Sequence, residues 1–327
     1  MNQEIKRIGV FTSGGDSPGM NACIRAVVRT ALHLGLEVYG IHSGYKGMIE
    51  GHLEPMESSD VSNIIQRGGT ILKTARSKEF RTKDGMQKAS NNLVSHKIDA
   101  VVAIGGDGTF TGANEFSKSF DIPFIGLPGT IDNDLVGTDF TIGYDTALNT
   151  VVSAVDKIRD TAASHDRLFL VEVMGKDAGF IALRSGIGVG AESILIPEKE
   201  THMDDLISVL KKGWKRKKTS SIVIVAEGDD AGGAMKVAEH VKKEVPEYDT
   251  RVTILGHIQR GGSPSAMDRV LASRLGNAAV KAILEGNYGV MVGLVNSKIA
   301  FTPFAKAIKH NQGVNQELLD LARILSF

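Results

Sequence analysis

The chain has 327 residues, 42% hydrophobic and 23% charged, enough for a sizeable core that is more comfortable as two domains than as one. Lys plus Arg and Asp plus Glu both number 38, so the formal net charge is zero and nothing in the balance points to a nucleic-acid partner or a membrane surface. The single cysteine, Cys23, excludes an intrachain disulfide and a cysteine-rich metal site, and with no membrane-length apolar run and no signal-like stretch in "MNQEIKRIGV" a cytoplasmic chain is expected.

In chain order, the first predicted strand is "RIGVF". The polar stretch "TSGGDSPGM" then leads into a helix pattern in which Met20, Cys23, Ile24, Val27, Val28 and Ala31 fall on one stripe. Two glycines relax backbone sterics there, and a helix N-terminus points N–H groups outward, which together make a place for an anion. "EVYGI" and "DAVVAIGG" are further strands, the second running into "GGDGT" (105–109), and "PFIGLPG" runs into "PGTIDND" (128–134). A second helix places Leu148, Val151, Val152, Val155 and Ile158 together. Beyond it come "RLFLVEVMG", "SILIPE", "SIVIVAEG", "RVTILG" and "VMVGLVN". Most of these runs are continuously apolar, as parallel strands buried on both faces should be. The alternation predicts a doubly wound α/β architecture, with a first boundary near "TDFTIGYD".

Six strands end in Gly-rich polar loops: "TSGGD", "GGDGT", "PGTIDND", "VMGKDAG", "VAEGDD" and "GHIQRGG". One such loop would be ordinary punctuation. Six favour a shared crevice, because ligands of open α/β sheets bind beyond the C-terminal ends of the strands. No G-x-x-x-x-G-K-[ST] stretch is present, so a P-loop is unsupported, and "GIGVG" (186–190) is read as helix packing.

In "GGDGT", Gly105 and Gly106 let backbone approach a ligand, and Asp107 can hold Mg2+ while phosphates supply the other oxygens. A tight turn with Asp107 capping the next helix is the competing reading. In "PGTIDND", Asp132 and Asp134 flank Asn133; one carboxylate can take the proton of an attacking hydroxyl, and an Asx turn explains the same letters. Arg76, Arg81, Arg167, Arg251, His257 and Arg260 sit in loops or at strand ends, and as a set on a neutral protein they suggest a substrate carrying phosphate. Arg25 and Arg29, i and i+4 on one helix, together with Arg159 and "KKGWKRKK" (211–218), fit a second anion site.

Taken together, "IGVFTSGGDSPGMNACIRAVVR", "GGDGT", "GLPGTIDND", "RDTAASHDR", "VEVMGKDAG" and "LGHIQRGGSPSAMDR" closely resemble the ATP-dependent 6-phosphofructokinase family of bacterial type, over nearly the whole chain. The resemblance implies transfer of the γ-phosphate of Mg-ATP to the 1-hydroxyl of fructose 6-phosphate, with Mg2+ as cofactor. It implies Asp132 as base, Asp107 as metal ligand, and an ATP site of Gly15, Arg76, Ser77, Gly106, Asp107, Gly108 and Thr109, with Arg76 near the transferred phosphate. For the sugar phosphate it implies Thr130, Ile131, Asp132, Met174, Gly175, Lys176, Glu227, His257, Ile258, Gln259 and Arg260. Arg167 and Arg251 would reach the 6-phosphate from a neighbouring subunit of a homotetramer. An effector pocket for ADP or phosphoenolpyruvate would use Arg25, Arg29, Arg159, Gly190, Glu192, Arg216 and Lys218.

The family likeness also implies two similar doubly wound domains facing across a cleft, residues 1–142 with 258–308 for ATP and 143–257 with 309–327 for the sugar phosphate. Pyrophosphate-using members carry Asp and Lys where this chain has Gly108 and Gly129, so both glycines point to ATP. Two departures stand out: Lys176 where the family has Arg, losing the bidentate fork, and Ser58 in place of an effector-loop arginine. A pyrophosphate-dependent enzyme and a catalytically silent nucleotide-binding subunit are the alternatives; the second would be expected to lose Asp107 or Asp132, and both are present.

Overall fold

The computed structural model describes residues 5–164, 167–216, 220–308 and 313–325. Among these the chain begins β1 (Arg7–Thr12), α1 (Met20–His33), β2 (Glu37–Ile41), α2 (Gly44–Glu50), β3 (Leu53–Met56), α3 (Lys83–Ser95), β4 (Ala100–Gly105), α4 (Asp107–Phe116) and β5 (Phe124–Pro128). It continues α5 (Tyr144–Ala163), β6 (Arg167–Val173), α6 (Phe180–Gly188), β7 (Ser193–Leu195), α7 (Met203–Lys215), β8 (Ser220–Ala226), α8 (Gly233–Glu244) and β9 (Asp249–Ile254). Then follow α9 (Ala266–Leu284), β10 (Val290–Val295), β11 (Lys298–Pro303), α10 (Phe304–Ala307) and α11 (Gln316–Leu325).

Two compact units result. The first comprises the chain up to Ile131, Leu135–Thr146 and the segment from Arg260; the second comprises Asp132–Asp134, Ala147–Gln259 and the C-terminal segment. Residues 309–312, beside the expected boundary at 308/309, lie outside the described residues.

The first unit holds a seven-stranded sheet in the order β11-β10-β5-β4-β1-β2-β3. The inner strands run parallel, while β3 and β11 close the edges antiparallel to β2 and β10. These two edge strands, "LEPM" and "KIAFTP", carry mixed rather than continuously apolar sequences, so no buried run marks them. Period-two alternation divides each inner strand between two cores. Ile8, Val10, Val102 and Ile104 pack under α1 and α9, while Phe11, Val101 and Ala103 pack under α2, α3 and α4. Helices on both faces therefore realise the expected doubly wound architecture. Each fully buried Ile or Phe contributes about 1.5–3 kcal/mol.

The second unit is smaller, a parallel four-stranded sheet in the order β7-β8-β6-β9. α7 and α8 cover one face through Leu206, Leu210, Val237 and Val241, packed on Leu168, Leu170, Val223 and Val225. α6 packs against β7 and β8, and α11 lies on α6 and β7, so the C-terminal helix belongs to this unit. "GIGVG" contributes the end of α6, and Gly186 there lets Ile194 of β7 approach closely enough that a Cβ would fall 2.5 Å from its Cδ1.

One carboxylate organises the end of the first unit. Ser265 caps α9 by accepting the Asp268 N–H, and Asp268 turns its side chain to the start of α5. Its Oδ1 accepts the Gly143 N–H at 2.8 Å, and its Oδ2 accepts the Thr146 N–H at 2.8 Å and the Thr146 hydroxyl at 2.5 Å. Asp268 is 1% exposed, and burial pushes its carboxyl above the usual range against the pull of those donors. In effect it caps α5 from another helix. Replacing it with Ala leaves three donors unmatched, and Asp268→Ala is expected to destabilise the protein by about 2–4 kcal/mol; melting curves superimposed on wild type would remove this role.

Candidate active site

In the first sheet the chain leaves β1 toward β2 and β3, and leaves β4 toward β5 and β10 on the other side. The gap between β1 and β4 is thus a topological switch point, where the loops after adjacent strands part and leave a crevice. The loops that open there are "TSGGDSPG" and "GGDGT". They are stitched together: Ser13 N–H donates to the Ile104 carbonyl at 3.0 Å, and the Thr109 hydroxyl donates to the Ser13 carbonyl at 3.2 Å. Gly105 is required by this closeness, since a Cβ would lie 2.5 Å from the Ser13 oxygen. Gly14 takes a left-handed φ of 87°.

α4 begins at Asp107, directly after Gly106, so its first-turn N–H groups and positive dipole end open at the switch point. Asp107 is half-buried, Thr109 buried and Gly108 exposed, with nothing within 4 Å of where a Cβ would stand. Arg260 lies over the β1 loop, its Nη1 donating to the Asp16 carbonyl at 3.2 Å, and a Cβ on Gly15 would fall 2.3 Å from that nitrogen. Sequence reasoning assigns Gly15 and Arg260 to different ligands; in the structure they touch. Arg76 is exposed, and Ser77 Oγ accepts the Phe80 N–H at 3.2 Å.

The loop after β5 is closed at its base. Gly129 donates to the Gly105 carbonyl and bridges to Ile142, and the Thr141 hydroxyl donates to the Thr130 carbonyl at 2.6 Å. Within the loop Ile131 is buried, and Asn133 holds φ +54°, a conformation Asn tolerates. Asp132 is 8% exposed and held by its surroundings, while its Oδ1 is buried and accepts no hydrogen bond. Gly129 is as confined as Gly108 is open: a Cβ would press within 3.0 Å of Ile104 and 3.1 Å of Met20.

In the second sheet β6 lies beside β9, the edge strand after which the chain passes back to the first unit. There "MGKDAG" follows β6 and "GHIQRGG" follows β9, joined by the Met174 N–H donating to Gln259 Oε1 at 3.2 Å. Gly175 sits at φ 145° and Lys176 at φ +56°. Glu227, at the end of β8, holds this strained turn by accepting the Gly175 N–H at 3.3 Å and the Lys176 N–H at 2.8 Å. His257 and Ile258 are exposed on the same loop as buried Gln259. Arg167 and Arg251 stand elsewhere, Arg167 at the opposite, N-terminal end of β6 and Arg251 within β9, two residues past its start.

Of the second anion set, Arg25 and Arg29 lie on α1 in the first unit, where burial and then the Arg29 charge lower the Arg25 pKa. In the second unit Arg159 donates to the Val189 and Gly190 carbonyls past the end of α6, a cation at a helix C-terminus. Glu192 is buried beside β7 and Arg216 is exposed after α7; Lys218 lies outside the described residues.

Four residues that matter to this geometry escape sequence reasoning. Asp268 is signalled by the Ser-x-x-Asp spacing of "SAMD", and Asp249 by its alternation with Arg251. Thr141 and Tyr45, whose hydroxyl donates to the Thr109 carbonyl at 2.6 Å, have no local signal. Among the described residues no three His, Cys, Asp or Glu side chains gather into a metal site, and no helix is long and apolar enough to cross a membrane.

Residues 7–283 match the family described as PFK, phosphofructokinase. The chain is 59% identical over 322 residues to ATP-dependent 6-phosphofructokinase 2 of Bacteroides thetaiotaomicron, covering 98% of this chain and 99% of that one. It is 55% identical to ATP-dependent 6-phosphofructokinase 1 of Thermus thermophilus, covering 98% and 100%. Among solved structures, phosphofructokinase from Saccharomyces cerevisiae superposes with a TM-score of 0.88 at 40% identity; 98% of this chain corresponds to 48% of that longer one. A pyrophosphate-dependent phosphofructokinase from Marinobacter aquaeolei, 22% identical with a TM-score of 0.84 over 98% of this chain and 91% of that one, shares the fold. Motif loops after adjacent strands of both sheets, a family match over most of the length and relatives more than half identical leave one assignment: the chain belongs to the phosphofructokinase family.

Proposed function

We infer that the chain is a kinase that transfers the γ-phosphate of ATP to the 1-hydroxyl of D-fructose 6-phosphate, giving fructose 1,6-bisphosphate and ADP, a committing step of glycolysis. The observation that carries this reading is that the motif residues fall in the loops after adjacent strands, β1 and β4 in one sheet and β6 and β9 in the other, in a chain of this family. The α4 N-terminus and the glycines of the β1 and β4 loops receive the nucleotide phosphates, with Ser77 and Thr109 at the margins. Arg76 offsets charge on the transferring group. Asp132 takes the hydroxyl proton as the nucleophile attacks. Thr130, Met174, Gly175, Lys176, Glu227, His257 and Arg260 bind the sugar phosphate.

Asp107 alone among the β4-loop side chains offers a carboxylate, and one carboxylate plus phosphate oxygens suits Mg2+, which keeps several waters and rarely occupies an all-protein cage. Bound there, Mg2+ supplies charge neutralisation at the transferring phosphoryl group. The neutral composition and lone cysteine favour a cytoplasmic setting.

The place of Arg167 and Arg251 supports a shared active site. β6 runs from Arg167 to Val173, so at ~3.3 Å per residue Arg167 stands roughly 20 Å along the sheet from the chain's own "MGKDAG" loop, and Arg251, in register with Phe169, roughly 13 Å. Arginines so placed serve the 6-phosphate bound by another subunit, which makes the assembly, a homotetramer, part of the site. ADP and phosphoenolpyruvate are the proposed effectors of the Arg25, Arg29, Arg159, Gly190, Glu192, Arg216 and Lys218 set. Ser58, exposed, adds no charge to that set.

A donor panel tests the reading. With Mg2+ and fructose 6-phosphate, turnover with ATP and little with pyrophosphate is expected; product from pyrophosphate alone would reverse the donor, and no product from assembled protein would favour a silent subunit. Asp132→Ser should lower kcat by ~10²–10⁴-fold, and turnover within a few-fold of wild type would sink its role as base. Gly108→Asp separates fold from function. It replaces glycine in the first turn of α4 with an acidic residue, which should stabilise the unliganded protein by about 0.5–1 kcal/mol. The same carboxylate projects into the open space proposed for the nucleotide, and should reduce kcat/KM for ATP by roughly tenfold or more, about 1.4 kcal/mol. Unchanged ATP kinetics would show that this glycine does not choose the donor.

A further inference from the structure

At the N-terminal end of the second sheet one carboxylate gathers two arginines. Asp249 on β9 and Arg167 on β6 are register partners across a parallel pair, and Arg251 stands two residues beyond Asp249. Residues two apart on a strand leave the same face, so the pleat itself aims the three side chains together. Arg167 Nε donates to Asp249 Oδ2 at 2.8 Å, and Arg251 Nη2 donates to the same oxygen at 3.0 Å. These bonds, that of Arg167 foremost, hold the Asp249 carboxyl below its ordinary range.

A guanidinium carries five N–H donors, and each arginine uses one of them on this oxygen. Most of both forks therefore stays available to an incoming oxyanion. The side chains also remain reachable, with Arg167 24%, Asp249 45% and Arg251 53% exposed. Without the carboxylate, two like charges on long flexible stems would separate, and a phosphate would have to order both on binding.

We propose that Asp249 is a positioning residue for phosphate recognition: it bridges Arg167 and Arg251 so that the pair presents one preassembled site to the phosphate monoester of the sugar substrate. This rests on the reading above, in which the two arginines take the 6-phosphate. Asp249 touches neither substrate nor the reacting atoms; it acts through the arginines. An exposed ion pair has a small effect on stability, so the signature is kinetic rather than thermal.

The test is steady-state kinetics on wild type, Asp249→Asn and Asp249→Glu, with fructose 6-phosphate and ATP varied in turn. Asp249→Asn should raise KM for fructose 6-phosphate about threefold to tenfold. Its kcat and its KM for ATP should stay within about twofold, and its melting temperature should stay near that of wild type. Asp249→Glu, which keeps a bridging carboxylate, should recover most of the lost affinity. A KM for fructose 6-phosphate that is unchanged overturns the proposal. So does a lowered KM, which would make Asp249 an internal competitor of the phosphate, and so does a loss of stability that moves all the constants together. Wild-type protein that fails to phosphorylate fructose 6-phosphate overturns the functional reading and this proposal with it, whereas active wild type with an unmoved KM overturns the proposal alone.

Discussion

The buried carboxylate of Asp268 is the constraint on which most of the first unit's working geometry depends. It sits in the first turn of α9 yet caps the first turn of α5, so two helix starts are locked by one side chain. α5 opens in the first unit and continues in the second, which makes this the point where the chain's exit is fixed. The segment just upstream is the loop after β5, pinned by the Gly129–Ile142 bridge and by Thr141 on the Thr130 carbonyl. A loop with both ends fixed can hold Asn133 in a left-handed conformation and keep Asp132 buried, at an energetic cost that a free loop would relieve.

The motif loops of each unit are placed by topology before they are placed by any side chain. Strand order makes a switch point between β1 and β4 in one sheet and sets β6 beside β9 in the other. Backbone then lines both: glycine at 14, 105 and 175 permits turns or approaches that a Cβ would block or strain. Side chains complete the arrangement by holding loops rather than by reaching into solvent. Glu227 illustrates this, because its carboxylate accepts two amides of the turn after β6. Its proposed part in sugar binding is therefore exerted on a turn it also supports.

Much of this was legible in the letters. Continuously apolar runs betray strands buried on both faces, and every inner strand of the first sheet carries one. Glycine–aspartate loops betray the strand ends, as after β4 and β5. The antiparallel edges were not legible, because "LEPM" and "KIAFTP" lack an apolar run and depend on β2 and β10 for their pairing. Residues that act at long range were hidden for a similar reason. Tyr45 meets the Thr109 carbonyl across 64 positions with nothing local to announce it, and "SAMD" marks Asp268 only as part of a helix start, not its reach to Gly143 across 125. The ion-pair pattern at Asp249 required the β6–β9 register, which pairs residues 82 apart. The touching of Gly15 and Arg260 likewise needs the three-dimensional path of the chain.

Gly108 and Gly129 are unequally open to replacement. A side chain at 108 meets open space, so that position is free to vary in a single step. A side chain at 129 meets Ile104 and Met20 at once, both fully buried, and these must give by a few tenths of an ångström before even a Cβ fits. Only the first can therefore be altered without disturbing the core beneath it, so a change at 108 reports on the loop alone and a change at 129 on loop and core together.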